Sequence, residues 1–161
     1  MTDAYIALGS NVGDRELNLL RGVAEVGKLT GCRVTALSSF YETSPVATAT
    51  PDTFFNAVLR LSTRHEPRQL LLALLGIEEL TFGRERLIPN GPRSLDLDLL
   101  LFGDRIIAEA DLVIPHPRMT ERRFVLQPLA EIDSELLHPV SGISSGQLLT
   151  NLVSDETVVK L

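Results

Sequence analysis

Residues 54–62 alternate more strictly than any other part of the chain: Phe55, Ala57, Leu59 and Leu61 point one way, Phe54, Asn56, Val58 and Arg60 the other. Period-two alternation of this kind marks a β-strand with two distinct faces. The β-rich, serine-rich stretch 32–42 reads as another strand. Between the two lies 43–53, with Ser44-Pro45 and Thr50-Pro51-Asp52, which reads as a loop. A parallel pair needs a crossover of about a dozen or more residues, usually a helix. No helix fits between residues 42 and 54, so a doubly wound parallel sheet is disfavoured.

The remaining elements follow from period and punctuation. Ala4-Tyr5-Ile6-Ala7-Leu8 reads as a short buried strand ended by Gly9-Ser10-Asn11-Val12-Gly13. Asp14 is placed to cap a helix running to about Leu29, with Gly31 as its stop. A second helix is expected from Pro67 to Phe82, closed by Gly83. Leu95 to Phe102 reads as a strand, and Gly103-Asp104 turns it into Arg105-Ile106-Ile107-Ala108 as a hairpin. A helix is expected from Thr120 to about Ile132, bent at Pro128, then a short helix over Ser145–Val153 and a weak terminal strand. The order strand-helix-strand-strand-helix-strand predicts an α+β fold: a ferredoxin-like β-α-β-β-α-β core, an antiparallel sheet with helices packed on it, plus an extra hairpin strand and C-terminal helices. At 161 residues a single domain over 1–161 is expected.

The only cysteine, Cys32, has no partner for a disulfide and reads as a small buried hydrophobe. No apolar run approaches the roughly 18 residues of a membrane span, and the N-terminus lacks the pattern of a signal peptide. A cytoplasmic protein with no membrane contact is the expectation, and a monomer the default. The net charge of −6 and a pI near 5.0 argue against nucleic acid as a partner. All the basic residues but Lys28 and Lys160 are arginines, several of them concentrated at Arg84, Arg86 and Arg93 and at Arg118, Arg122 and Arg123. Arginine forks suit phosphate and carboxylate oxygens, so a small anion is one reading and a solvated basic stripe the other.

Chemistry concentrates in Leu95-Asp96-Leu97-Asp98-Leu99-Leu100-Leu101-Phe102. Asp96 and Asp98 share a strand face, with Leu95, Leu97, Leu99 and Leu101 expected opposite and Leu100 and Phe102 expected beside the acids. Two carboxylates so close repel unless something positive lies between them. A magnesium ion would serve, and so would an arginine cluster; plain surface acids are the third reading. His116, between Pro115 and Pro117 and near Arg118 and Arg122, reads either as structural or as a phosphate contact. Phe54 and Asn56 on one strand face suit a flat heterocycle or ordinary core packing. Gly9-Ser10-Asn11-Val12-Gly13 lacks the ending of a Walker loop. No arrangement suggests Ser-His-Asp chemistry, and neither His65 nor His138 has an evident role.

Taken together, Ala7-Leu8-Gly9-Ser10-Asn11, Ser39-Phe40-Tyr41-Glu42-Thr43, Phe55-Asn56-Ala57, Gly91-Pro92-Arg93-Ser94-Leu95-Asp96-Leu97-Asp98 and Ile114-Pro115-His116-Pro117-Arg118 resemble the 6-hydroxymethyl-7,8-dihydropterin pyrophosphokinases of folate biosynthesis. The resemblance runs from about Ala4 to Ile132. It implies magnesium-dependent transfer of the β,γ-diphosphate of ATP to the pterin hydroxymethyl group, with AMP released. It further implies that Asp96 and Asp98 hold two Mg2+ ions. Arg84, Arg93 and Arg122 would contact ATP phosphates, with Arg86, His116, Glu79 and Leu99 also at the nucleotide. Thr43, Ser44, Val46 and Asn56 would hold the pterin, stacked between Phe54 and Phe124. Arg84 and Arg93 join the two acids as the implied catalytic set. At Leu87-Ile88-Pro89-Asn90 the chain departs from the aromatic and basic residues frequent in that family. A non-catalytic nucleotide- or metabolite-binding module on the same scaffold is the alternative expectation.

Overall fold

The computed structural model describes residues 1–44, 53–81, 83 and 94–161. In chain order the elements are β1 (Thr2–Ser10), α1 (Arg15–Gly27), β2 (Cys32–Leu37), β3 (Tyr41–Thr43), β4 (Phe54–Thr63), α2 (Pro67–Gly76), a π-helical turn (Ile77–Thr81) and β5 (Asp96–Phe102). There follow β6 (Ile107–Glu109), β7 (Leu112–Ile114), a 3-10 turn (Met119–Glu121), α3 (Arg123–Ile132), α4 (Ser145–Asn151) and β8 (Val158–Lys160). The main sheet is antiparallel throughout and runs β5-β1-β4-β3-β8, with β2 also on β4.

Local chemistry explains the helix starts. The Asp14 side chain accepts the Leu17 N–H at 3.1 Å, the expected cap of α1. At α2, Pro67 occupies the first turn and the Gln69 side chain accepts the Glu66 N–H at 2.9 Å. The regular part of α2 ends at Gly76, earlier than predicted, and the chain continues in wider π-helical geometry to Thr81. Phe82 lies outside the described residues. Pro128 sits inside α3, where it removes the bond its N–H would make to the Phe124 carbonyl. The helix expected from Thr120 begins instead as the 3-10 turn, and the last helix stops at Asn151, short of Val153.

Two hydrophobic cores flank the sheet. On one face Ala4, Ile6 and Leu8 of β1 and Leu59 and Leu61 of β4 pack on Leu19 and Val26 of α1 and Leu70 and Leu74 of α2. Gly22 lets α1 come close: a Cβ there would stand 2.9 Å from Leu95 Cδ2. On the other face Tyr5, Val58, Leu100 and Leu101 pack on Val125 and Leu129 of α3. No helix among the described residues is long and apolar enough to cross a membrane.

Four sequence expectations change. The predicted strand 32–42 is broken at 38–40, where the Ser38 hydroxyl accepts the Val58 N–H at 2.9 Å and the Ser39 N–H turns to Glu131. The predicted hairpin on β5 does not form: β6 pairs with β7 as a separate two-stranded sheet. One edge of β5 belongs to β1, and on the other the Leu100 carbonyl accepts the His116 N–H at 2.9 Å. Meanwhile Leu112 and Ile114 are buried in the first core and Ile107 packs against it. The alternation of β5 also breaks. A register shift opposite Tyr5 and Ile6 puts both Leu100 and Leu101 in the second core and sends Phe102 to the first. A β-bulge does this by inserting one residue into one strand of the pair. Cys32, finally, is only partly buried, with its sulfur 3.1 Å from Thr63 Oγ1.

Candidate active site

Registers across the sheet bring the sequence-predicted residues into one row. Gly9 pairs with Asp96 on one side and Asn56 on the other, and Asn56 pairs with Tyr41. The next row aligns Asp98, Ala7 and Val58. Paired residues in an antiparallel sheet project to the same face, so the two acids share the face of Phe54, Asn56 and Thr43. This is the α3 face. The role of Gly9 is steric: a Cβ there would lie 3.0 Å from Asn56 Oδ1 and 4.0 Å from Asp96 Cβ. Its missing side chain lets the Asn56 oxygen come close to the β1 backbone.

On one side of Gly9 the polar groups are fixed. Asn56 Nδ2 donates to Thr43 Oγ1 at 2.7 Å, and both residues are buried. With its amide nitrogen so engaged, Asn56 turns its oxygen towards Gly9. Phe54 and Phe124 are half-buried, one on β4 and one in the first turn of α3, and Arg122 lies 5.5 Å from the Phe124 ring. Asp96 and Asp98 are also half-buried.

Among the described residues no group of three or more His, Cys, Asp or Glu side chains could hold a metal. At Asp96 and Asp98 the chain offers a cation carboxylate oxygens from one strand face. Oxygen-only donors of this kind suit Mg2+, which commonly uses one or two carboxylates plus phosphate. The donor chemistry fits.

His116 stands two residues after β7, beside the edge of β5. Its Nδ1 accepts the Arg118 N–H at 3.2 Å, which leaves the ring proton on Nε2. Burial, then the charges of Arg122 and Arg118, pull its pKa down to about 4. The imidazole is neutral at pH 7. A cleft of about 320 Å³ opens beside it, lined also by Pro115, Pro117, Thr120, His138 and Leu148. Because an unfolded histidine takes up its proton near pH 6.5 and this one only near 4, the unfolded chain binds more protons in that window. Stability is therefore expected to fall as pH drops from 6.5 to 4. Chemical denaturation of the wild type and His116→Asn across that range checks this, the variant losing part of the slope.

Not every implied residue reaches this face. Leu99 turns into the opposite core, and Glu79 is exposed on the π-helical turn. Ser44 closes β3, and Arg84, Arg86, Arg93 and Val46 lie outside the described residues.

Three residues that support the site escaped the sequence reading. Glu78 is 1% exposed, and its Oε2 accepts the Leu97 N–H at 2.7 Å, between the two acids. Its spacing from Leu70 and Leu74, a charged residue continuing an apolar helix face, was the available signal. Glu131 of α3 accepts the Tyr41 hydroxyl at 2.6 Å and the Ser39 hydroxyl at 2.7 Å, tying α3 to β3. Burial, with that carboxylate alongside, pushes the Tyr41 phenol above its usual pKa. Arg15 donates to the Thr53 carbonyl and hydroxyl at 3.0 and 2.7 Å and pairs with Glu42 at 3.4 Å, joining β3 to the start of β4. Nothing in local period announces either contact.

Comparison with known proteins bears on this arrangement. A family model described as 7,8-dihydro-6-hydroxymethylpterin-pyrophosphokinase matches residues 5–134. The 2-amino-4-hydroxy-6-hydroxymethyldihydropteridine pyrophosphokinase of Bacillus subtilis is 47% identical over 144 residues, covering 89% of this chain and 86% of that protein. Its namesake in Haemophilus influenzae is 39% identical over 164 residues, covering 100% and 99%. The folic acid synthesis protein fol1 of Pneumocystis carinii is 40% identical over 152 residues, but the chain spans only 20% of its length. Wild-type Plasmodium falciparum HPPK-DHPS shares the fold, with a TM-score of 0.72 at 16% identity over 93% of this chain and 43% of that one. The chain belongs to the 7,8-dihydro-6-hydroxymethylpterin-pyrophosphokinase family.

Proposed function

We propose that this protein transfers the β,γ-diphosphate of ATP to the hydroxymethyl group of 6-hydroxymethyl-7,8-dihydropterin, giving AMP and the pterin diphosphate. The observation that carries the reading is the row Asp96–Gly9–Asn56. It lines up a carboxylate, able to help hold a cation, with a fixed amide on the same face of the sheet. The same reading takes β5-β1-β4-β3 as a ferredoxin-like sheet and residues 1–161 as one domain.

In the reaction the pterin alcohol oxygen forms a bond to the β-phosphorus, and the bond from that phosphorus to the α,β-bridging oxygen breaks. AMP leaves with that oxygen and its electron pair, and the alcohol proton passes to solvent. Phosphoryl transfer of this type depends on positioning and charge neutralisation more than on a strong base. Asn56 and Thr43 orient the pterin edge, while Phe54 and Phe124 take its faces. Asp96 and Asp98 would hold magnesium, two ions by family resemblance, which when bound neutralises phosphate charge. Arg122, with Arg84 and Arg93 by resemblance, adds guanidinium contacts to phosphate oxygens. His116, being neutral, offers Nε2–H as a donor without adding charge.

The test is product analysis with ATP, the pterin alcohol and magnesium. AMP in equal amount to pterin diphosphate is expected. ADP in its place, or ATP binding with no turnover, would overturn the reading and, in the second case, leave a binding module.

A further inference from the structure

Residues 152–161 follow α4 and lie beyond the stretch matched by the family model. Their bonds concentrate on two points far apart in the sequence. Towards α3, the Leu152 carbonyl accepts Arg123 Nη2 at 3.2 Å, and Glu156 Oε2 accepts the Phe124 N–H at 3.3 Å. The other oxygen of Glu156 accepts the Ser154 hydroxyl at 3.1 Å, which fixes the carboxylate. One residue on, the contacts switch to the end of β3. The Thr157 carbonyl accepts the Ser44 N–H at 2.9 Å, and the Thr157 N–H donates to Ser44 Oγ at 3.0 Å. Val158 then pairs with Thr43 and Lys160 with Tyr41, and the Leu161 N–H reaches the Phe40 carbonyl at 2.9 Å.

Two consecutive residues, Glu156 and Thr157, thus bridge the backbone of Phe124 to the backbone of Ser44. Phe124 belongs to the α3 side of the proposed pterin site, and Ser44 directly follows Thr43, the residue bonded to Asn56. A flat ring held between Phe54 and Phe124 needs them separated by two carbon contact distances, roughly 7–8 Å. A change of a few tenths of an ångström opens a gap or closes the slot. A carboxylate at the first turn of α3 meets an otherwise unbonded helical N–H and the positive end of the helix dipole, so its hold on Phe124 is favourable.

We propose that the segment Ser154–Lys160 is a positioning strap, with Glu156 as its key residue, that sets the spacing between Phe124 and the Thr43–Asn56 wall and so determines affinity for the pterin. This rests on the pterin-site reading above. Glu156 touches neither substrate; it acts through Phe124.

The experiment measures steady-state kinetics of Glu156→Ala, Glu156→Gln and Asn56→Ala, with thermal midpoints. Glu156→Ala is expected to raise the pterin KM about tenfold while the ATP KM and kcat stay within about twofold. Glu156→Gln keeps an acceptor oxygen for the Phe124 N–H and is expected to recover most of the pterin KM. An unchanged pterin KM in Glu156→Ala, or pterin and ATP KM rising together, overturns the strap. Asn56→Ala separates the two ideas. If it raises the pterin KM while Glu156→Ala does not, the strap alone fails; if Asn56→Ala has no effect on the pterin KM, the site reading fails and the strap with it. Should Glu156→Ala not fold, Ser154→Ala, which frees the same carboxylate, is expected to give a smaller rise confined to the pterin KM, and no rise overturns the strap.

Discussion

Replacing Asp98 with alanine is expected to lower turnover by about a thousandfold while leaving the thermal midpoint close to that of the wild type. The side chain is half-buried on β5, in the row of Ala7 and Val58, and its neighbours Leu97 and Leu99 anchor the strand from the opposite face. Alanine keeps those anchors and the ladder to β1. On the proposed reading it deletes one of the two carboxylates that would hold the cation where phosphate charge must be neutralised. Losing a preorganised charge partner of this kind typically removes two to three orders of magnitude from the rate. A rapid-quench assay for AMP, beside a melting curve, checks both halves. Near wild-type turnover would take Asp98 out of the mechanism; a collapsed midpoint would make its role structural.

Glu78→Ala is expected to damage both stability and activity. The carboxylate is buried and accepts the Leu97 N–H, the peptide group between the two acids. Without it that N–H loses its acceptor, at a cost of about 1–3 kcal/mol. For a chain of this size the midpoint falls roughly 2–4 °C per kcal/mol. Asp96 and Asp98 flank the released peptide, so their spacing loosens and turnover drops, by about tenfold or more for a misplacement approaching 1 Å. Glu78→Gln retains an acceptor oxygen and is expected to sit between the two. A midpoint for Glu78→Ala equal to wild type would show that the contact contributes nothing to holding β5.

The contrast between Glu78 and Glu79 shows how far local pattern carries. Family resemblance points to Glu79, which is exposed on the π-helical turn; the buried acid is its neighbour. Helical spacing from Leu70 and Leu74 would have placed Glu78 inward, but a carboxylate on an apolar face reads as an anomaly until its partner is known. That partner, the Leu97 N–H, is nineteen residues away. The β5 strand makes the same point. Period two correctly put Asp96 and Asp98 on one face, yet placed Leu101 and Phe102 on the wrong ones, because the bulge opposite Tyr5 and Ile6 leaves no mark in an unbroken run of leucines.

By itself the chain's sequence determined the order of the main strands and helices, the antiparallel arrangement of strands joined by loops, and the pairing of acids on one face of β5. These follow from period and from turn residues, which act over a few positions. Tertiary structure alone decided that Gly9 would stand between Asn56 and Asp96, that Glu131 would grip Tyr41, and that the C-terminal segment would link Phe124 to Ser44. Each of these contacts joins segments far apart in the chain. Their partners are set by how helices and strands pack, and a polar side chain announces only that it needs a partner, never which one.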